Sequence, residues 1–179
     1  MNSANAILVL TTGGTIDKQY FDALGEYKIT NSMILKLLSI ARVTHSYQVE
    51  EVLRKDSLEI TDEDRDRIVK YVRDAASNNI VITHGTDTMT LTAEALQMIH
   101  DKTIVLTGAL SPARFAESDA AFNLGMAFAA AQTALPGVYI AMNGSLFQGN
   151  NVVKDRQVGT FVVKPRANAN ATIKASEVD

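Results

Sequence analysis

Ala6-Ile-Leu-Val-Leu-Thr-Thr-Gly-Gly-Thr-Ile16 is the stretch from which the fold of this chain can be read. Residues 6–10 are apolar without alternation, the pattern of a strand buried on both faces of a parallel sheet. Gly13 and Gly14 stop that strand at its carboxyl end, where open α/β sheets place their ligands. Glycine accepts a positive φ and close approach, so the pair can form a tight turn lined with bare backbone N–H groups. Thr15 follows directly and sets a hydroxyl beside those donors. A hydroxyl next to backbone N–H groups is half of an acyl-transfer site. Taken alone, Thr-Gly-Gly-Thr reads first as an ordinary strand-to-loop turn; its partners downstream reverse that reading.

Composition bounds what those partners can be. The 179 residues suffice for one domain with a proper core. Hydrophobic residues at 46% and charged residues at 21% are those of an ordinary globular protein. The net charge is −3 and the 17 basic residues do not cluster, so neither a nucleic-acid nor a membrane partner is expected. Cysteine is absent, which excludes disulfides and cysteine-ligated metal and fits a reducing compartment. The N-terminus lacks the charged and apolar pattern of a signal peptide, and the apolar runs are strand-sized. A soluble, cytoplasmic protein is expected.

Outward from the first turn, residues 17–26 are polar and without period, reading as a surface loop able to cover a site. Tyr20 within it is either a lid residue or a half-buried loop anchor. Asn31 is a plausible N-cap for a helix over 32–41, and residues 43–53 alternate loosely as a second strand. Arg54-Lys-Asp-Ser57 lies at the end of that strand, again at the presumed ligand edge. Thr61 caps a helix over 61–77 with acids in its first turn.

Residues 79–83 form a third strand, ending in His84-Gly-Thr-Asp-Thr-Met89. Gly85 allows another tight turn, and Thr86 or Asp87 can cap the helix that runs to residue 99. Such connections are common, but this one also aims the Thr86 hydroxyl and the Asp87 carboxylate above the first strand. A structural role is favoured for His84 over a catalytic one. Residues 103–107 are a fourth strand, and 119–133 a helix rich in alanine, suited to close packing on a sheet or another subunit. Residues 138–142 are a fifth strand. Asn143-Gly144 and Gly149-Asn150-Asn151 are turns that lead into Val152-Val-Lys154, and residues 161–163 could form a last strand.

This alternation gives an α/β fold: a mostly parallel sheet with helices on both faces, a flavodoxin-like three-layer single domain. It is expected over residues 1–163, with a loosely ordered tail over 164–179. The polar clusters at 12–15, 56–57 and 85–87 all follow strands, so in such a sheet they converge on one edge.

Thr12-Gly-Gly-Thr-Ile16 and His84-Gly-Thr-Asp-Thr-Met89 resemble the two signatures of the bacterial-type L-asparaginase and glutaminase family. Met142-Asn143…Gly149…Val152-Val-Lys154 resembles the family segment that delivers a lysine. The similarity runs over residues 7–161, as in short single-domain L-asparaginases, and the family's second domain has no counterpart here. The resemblance implies Thr15 as first nucleophile, with Tyr20 in the lid helping to activate or orient it. It implies Thr86, Asp87 and Lys154 as the set that activates water or the hydroxyl and polarises the substrate. It also implies Ser57 as the group holding the substrate α-carboxylate, with Asp56 and Gly85 beside it. The family's glutamine after the serine is Leu58 in this chain, which leaves the grip on the head group open.

The implied reaction is hydrolysis of L-asparagine to L-aspartate and ammonia through an acyl-threonine. A threonine hydroxyl needs a base, and positioned proton transfer contributes about 10²–10⁴-fold. With no His or Cys at hand, Tyr20 or a Lys154-linked network must supply it. Lysine titrates near ~10.4, so Lys154 serves either as a base lowered by burial or as a charged group paired with Asp87. No metal or organic cofactor is needed. A non-catalytic amino-acid-binding or regulatory module is the alternative. A phosphate-binding role for Gly13-Gly14 is weaker, since neither G-x-G-x-x-G nor a Walker lysine is present. A homo-oligomer, dimer or tetramer, is expected, with the alanine-rich helix as a candidate contact.

Overall fold

The computed structural model describes residues 6–22 and 24–165. Most of the expected tail, from residue 166 on, therefore lies outside the described residues. Six strands form the central sheet: β1 (Ile7–Gly13), β4 (Tyr47–Lys55), β5 (Asn79–Thr83), β6 (Thr103–Thr107), β7 (Gly137–Met142) and β8 (Ser145–Gln148). Their order is β4-β1-β5-β6-β7-β8, all parallel except β8, which turns back antiparallel along β7. Renumbered among themselves, the five parallel strands run 2-1-3-4-5, the doubly wound order whose direction reverses between β1 and β5. A crevice opens at such a reversal, because the connections leaving the two strands go to opposite sides.

Alternation along each strand explains the layers. Leu8, Leu10, Ile80, Ile82, Ile104 and Leu106 point to one face, packing on α2 (Asp62–Asp74) through Ile68 and Val72 and on α3 (Met89–Ala95) through Met89 and Ala93. Ile7, Val9, Val81, Val105 and Tyr139 point to the other, against Ile34 and Leu38 of α1 (Ile34–Ile40) and Leu124, Ala127 and Ala131 of α4 (Ala120–Thr133). Each such aliphatic side chain, fully buried, contributes about 1.5–3 kcal/mol. The continuous apolar runs thus reflect helices on both faces, and the three-layer expectation holds.

Several local expectations are corrected. Residues 17–26 are not irregular: a 3-10 turn (Thr15–Asp17) leads into a hairpin of β2 (Lys18–Phe21) and β3 (Glu26–Ile29). Asn31 does not cap α1; the buried Asp17 carboxylate accepts from the Met33 N–H at 2.8 Å and the Ser32 hydroxyl at 3.0 Å. Burial pushes the Asp17 carboxyl up in pKa, and these two donors pull against that rise. The helix after β5 is short, starts at Met89 without a side-chain cap from Thr86 or Asp87, and passes into a 3-10 turn (Leu96–Met98). Thr61, by contrast, caps α2 as expected, in a reciprocal box with Asp64. The alanine face of α4 is spent on the sheet, leaving Phe122 as the large exposed apolar group of that helix.

A second ribbon, β9 (Val152–Asp155) with β10 (Thr160–Val163), is antiparallel and separate from the main sheet. Buried Val152 and Phe161 join it to the α2/α3-side core.

Candidate active site

The ends of β1, β4 and β5 nest together because glycines leave room for backbone. Gly14 has φ +80°, and a Cβ there would sit 2.5 Å from the Gly85 nitrogen. A Cβ on Gly85 would in turn lie 2.6 Å from the Ser57 Oγ. Any side chain at either position would force the loops apart. The Gly14 N–H donates to the Lys55 carbonyl at 3.0 Å, the Thr12 hydroxyl to the Thr83 carbonyl at 2.9 Å, and the Thr88 hydroxyl to the Ser57 carbonyl at 2.7 Å. All three clusters expected at this edge are therefore in mutual contact. Because Gly14 abuts Gly85, Thr15 and Thr86 begin from neighbouring backbone.

Thr86 is buried, and Lys154 reaches it from β9. The Lys154 Nζ donates to the Thr86 Oγ1 at 2.7 Å and to the Asp87 Oδ1 at 2.8 Å. Such charge-assisted bonds are about twice as strong as neutral ones, and the largely shielded lysine keeps this pair from full solvent screening. Thr15 is half-buried, and among the described residues its hydroxyl makes no hydrogen bond. Tyr20 is exposed on β2 with its ring centroid 5.1 Å from that of Tyr27, which in turn lies 6.2 Å from Phe115. The structure thus brings Thr86, Asp87 and Lys154 into direct contact and leaves Tyr20 out on the hairpin.

Ser57 is buried and opens a 3-10 turn (Ser57–Glu59). Asp56 caps that turn through the Leu58 N–H, while the Lys18 Nζ lies 2.6 Å from its other oxygen. Partial burial raises the Asp56 carboxyl, but the Lys18 ammonium and the Leu58 and Ser57 N–H groups outweigh it and hold the group below the usual carboxylate range. Leu58 itself turns out to solvent, 67% exposed.

His84 lies wholly buried behind the site. Its Nδ1 faces the Gly85 carbonyl at 2.8 Å and so must be the protonated nitrogen; its Nε2 accepts from the Thr92 hydroxyl at 2.8 Å. Desolvation pushes its pKa down to about 4, so it is a neutral strut fixing the Gly85 turn. Lys18 and Asp17 escape a reading of the sequence, since isolated polar residues in an aperiodic stretch carry no spacing signal, and Thr88 is visible there only as a member of the 84–89 signature. Among the described residues, no group of three or more His, Asp or Glu side chains is placed to hold a metal ion. A cavity of about 670 Å³ opens at the other end of the sheet, between β4 and α2, and none of these residues reaches it.

Comparison with known proteins agrees with this geometry. Residues 6–178 match the family described as Asparaginase, N-terminal. The L-asparaginase of Thermococcus kodakarensis is 36% identical over 159 residues, covering 86% of this chain and 48% of that protein. L-asparaginase 2 of Escherichia coli is 31% identical over 172 residues, covering 87% of this chain and 48% of its own. Among solved structures, the T. kodakarensis L-asparaginase superposes with a TM-score of 0.77 at 34% identity, covering 88% of this chain and 51% of that one. A probable cytoplasmic L-asparaginase from Campylobacter jejuni gives 0.76 at 30% identity, with coverage of 88% and 53%. The chain spans about half the length of these relatives. With three glycine-nested strand ends at the sheet reversal and the family match running over nearly the whole sequence, the chain belongs to the asparaginase family, of which it is the N-terminal domain.

Proposed function

We propose that this chain hydrolyses the side-chain amide of L-asparagine, releasing L-aspartate and ammonia. The observation that carries the reading is the Lys154 ammonium joined to both Thr86 and Asp87 beside the Gly14–Thr15 turn. In this reading the Thr15 oxygen attacks the amide carbon and its proton passes to the departing nitrogen, with Tyr20 or the Lys154 network as relay. Backbone N–H groups of the turn after Gly14 hold the negative oxygen; losing one such donor costs roughly 2.7–4 kcal/mol of barrier in other enzymes. Water, deprotonated at the Thr86–Asp87–Lys154 set, then attacks the acyl-threonine ester, and the Thr15 oxygen leaves with a proton. Ser57, Asp56 and Gly85 form the floor that receives the head group. As an ion pair with Asp87, Lys154 acts on Thr86 electrostatically.

Ammonia release from L-asparagine, L-glutamine and a set of small amides tests this directly. Turnover of L-asparagine supports it; no ammonia from any amide, together with calorimetric binding of L-asparagine, supports the second reading, an amino-acid-binding module. The outward Leu58 is the observation in favour of that second reading.

The reading extends to the whole chain's setting. Residues 1–163 are proposed as the folded unit and the rest as an appended tail. The cysteine-free sequence and the likeness to a probable cytoplasmic enzyme support a cytoplasmic setting. Among the described residues no helix is long and apolar enough to cross a membrane. A homo-oligomer, dimer or tetramer, is supported by large exposed apolar side chains such as Phe122, Met98 and Leu135. Light scattering at micromolar concentration that found only monomer would remove that part.

A further inference from the structure

Thr15 enters a 3-10 turn from Gly14 and leaves it through Ile16 and Asp17, and at Asp17 that turn is made fast. The Asp17 N–H closes the turn onto the Gly14 carbonyl at 3.2 Å. Its carbonyl accepts from the Thr30 N–H at 3.0 Å and from the Thr30 hydroxyl at 3.2 Å. Lys18 pairs with Ile29 at the open end of the hairpin, so these contacts lengthen the ladder by one residue and close its base. The carboxylate reaches a third element, accepting from the Met33 N–H and the Ser32 hydroxyl where α1 begins. One residue, 1% exposed, thus joins the Thr15 turn, both ends of the hairpin and a helix seated in the core through Ile34 and Leu38. Neither strand of the hairpin contains a buried residue, so apolar packing does not fix where it points. Polar anchoring at the base takes that part. The loop after β6 adds to the same junction. The Ala113 N–H donates to the Ile16 carbonyl at 3.1 Å, and Arg114 donates to the Thr30 hydroxyl at 2.8 Å and the Asn31 carbonyl at 3.2 Å.

We propose that Asp17 is a positioning residue for Thr15, its carboxylate holding the nucleophile's turn and the base of the Tyr20 hairpin against the start of α1. Capping a helix is by itself a matter of stability, and a cap from within the helix's own segment would serve for that. This cap comes instead from 16 residues upstream, on the turn that carries Thr15, and so it also fixes that turn in space. A misplacement of about 1 Å can slow a reaction about 10²-fold. The floor at Ser57 and Gly85 follows β4 and β5, so loss of the anchor should leave substrate binding largely as it is. Burial disfavours a charge on the Asp17 carboxyl, so an uncharged acceptor of the same shape should serve nearly as well.

The role given to Asp17 rests on the amidase reading, and two measurements separate them. Ammonia release from L-asparagine gives kcat and KM for the wild-type chain, Asp17→Ala and Asp17→Asn, each in buffer where urea titration shows it folded. Asp17→Ala should lower kcat about tenfold or more and change KM less than about threefold, and Asp17→Asn should recover most of the rate. Hydrogen exchange read by mass spectrometry follows the anchor without turnover. In Asp17→Ala the amides of residues 14–21 should exchange about tenfold faster or more, those of β5 and β6 should be unchanged, and Asp17→Asn should restore protection. Ser32→Ala removes one of the two donors and serves where Asp17→Ala does not fold; its kcat should fall about threefold at constant KM. A wild-type kcat in the variant, or faster exchange confined to α1, would make Asp17 a helix cap and overturn the inference, leaving the amidase reading standing. A wild-type chain silent on every amide would overturn that reading, and the positioning of Thr15 with it.

Discussion

Two threonines stand at neighbouring strand ends in opposite conditions. Thr86 is buried and already bonded to a lysine that is itself paired with Asp87, whereas the hydroxyl of half-buried Thr15 has no partner among the described residues. One half of the site is assembled by the fold, and the other half is left to be completed. The difference follows from the elements that bring the partners. Lys154 arrives on a ribbon fastened by buried Val152 and Phe161, while Tyr20 arrives on a hairpin whose exposed rings lean chiefly on one another. For the proposed reaction, a preformed electrostatic set would cost no reorganisation, and an unpartnered Thr15 hydroxyl would leave room for substrate to enter.

Breaking the open half should have the largest effect. Thr15→Ala should lower ammonia release at least about 10³-fold with an unchanged circular dichroism spectrum, because no other hydroxyl begins from that turn. Near-normal turnover would mean that Thr15 is not the attacking group. On the assembled half, Lys154→Met should lower the rate by about 10²-fold or more, the scale of one positioned proton-transfer group. An unaffected rate there would separate the Thr86 set from the chemistry.

The seam between the halves can be tested through stability. Gly14→Ala places a Cβ 2.5 Å from the Gly85 nitrogen at a φ of +80°. Strain of that kind costs roughly 1–3 kcal/mol, and the clash a similar amount. Urea unfolding should register the loss, and a fully stable variant would show that the two loops can separate freely.

The mildest perturbation is pH. His84, with a pKa of about 4 in the fold against 6.5 in the open chain, is neutral when folded, while the unfolded chain takes up its proton below pH 6.5. Its contribution is therefore fully present above pH 6.5 and is lost as pH falls towards 4, by up to about 1.4 kcal/mol per unit. Replacing it, as in His84→Asn, should flatten urea-denaturation stability across that window; an unchanged slope would mean that the strut behind Gly85 is not this imidazole.

What the sequence disclosed follows the same division. Unbroken apolar runs at Ile80–Ile82 and Ile104–Leu106 have one reading, since only a sheet covered on both faces buries every residue. The Gly13-Gly14 and Gly85 turns were legible because close backbone approach singles out glycine. The β2–β3 hairpin was not: Lys18, Gln19 and Tyr20 lie on a small ribbon outside the sheet, with no core to impose alternation. The Asp17 cap of α1 was hidden for another reason, as its donors lie 15 and 16 residues along the chain, beyond any local capping pattern. The Lys18–Asp56 pairing was likewise invisible, for nothing local connects residues 38 apart.

The ribbon that carries Lys154 sets the order in which the candidate site is assembled. It is the last described segment to leave the ribosome, and it stands apart from the six-stranded sheet. A nascent chain can pair its parallel strands up to β7 before Val152 and Phe161 complete the core and Lys154 reaches Thr86 and Asp87. On warming, the β2–β3 hairpin, with no buried residue in either strand, is the natural first element to peel away, while the ribbon stays held by Val152 and Phe161.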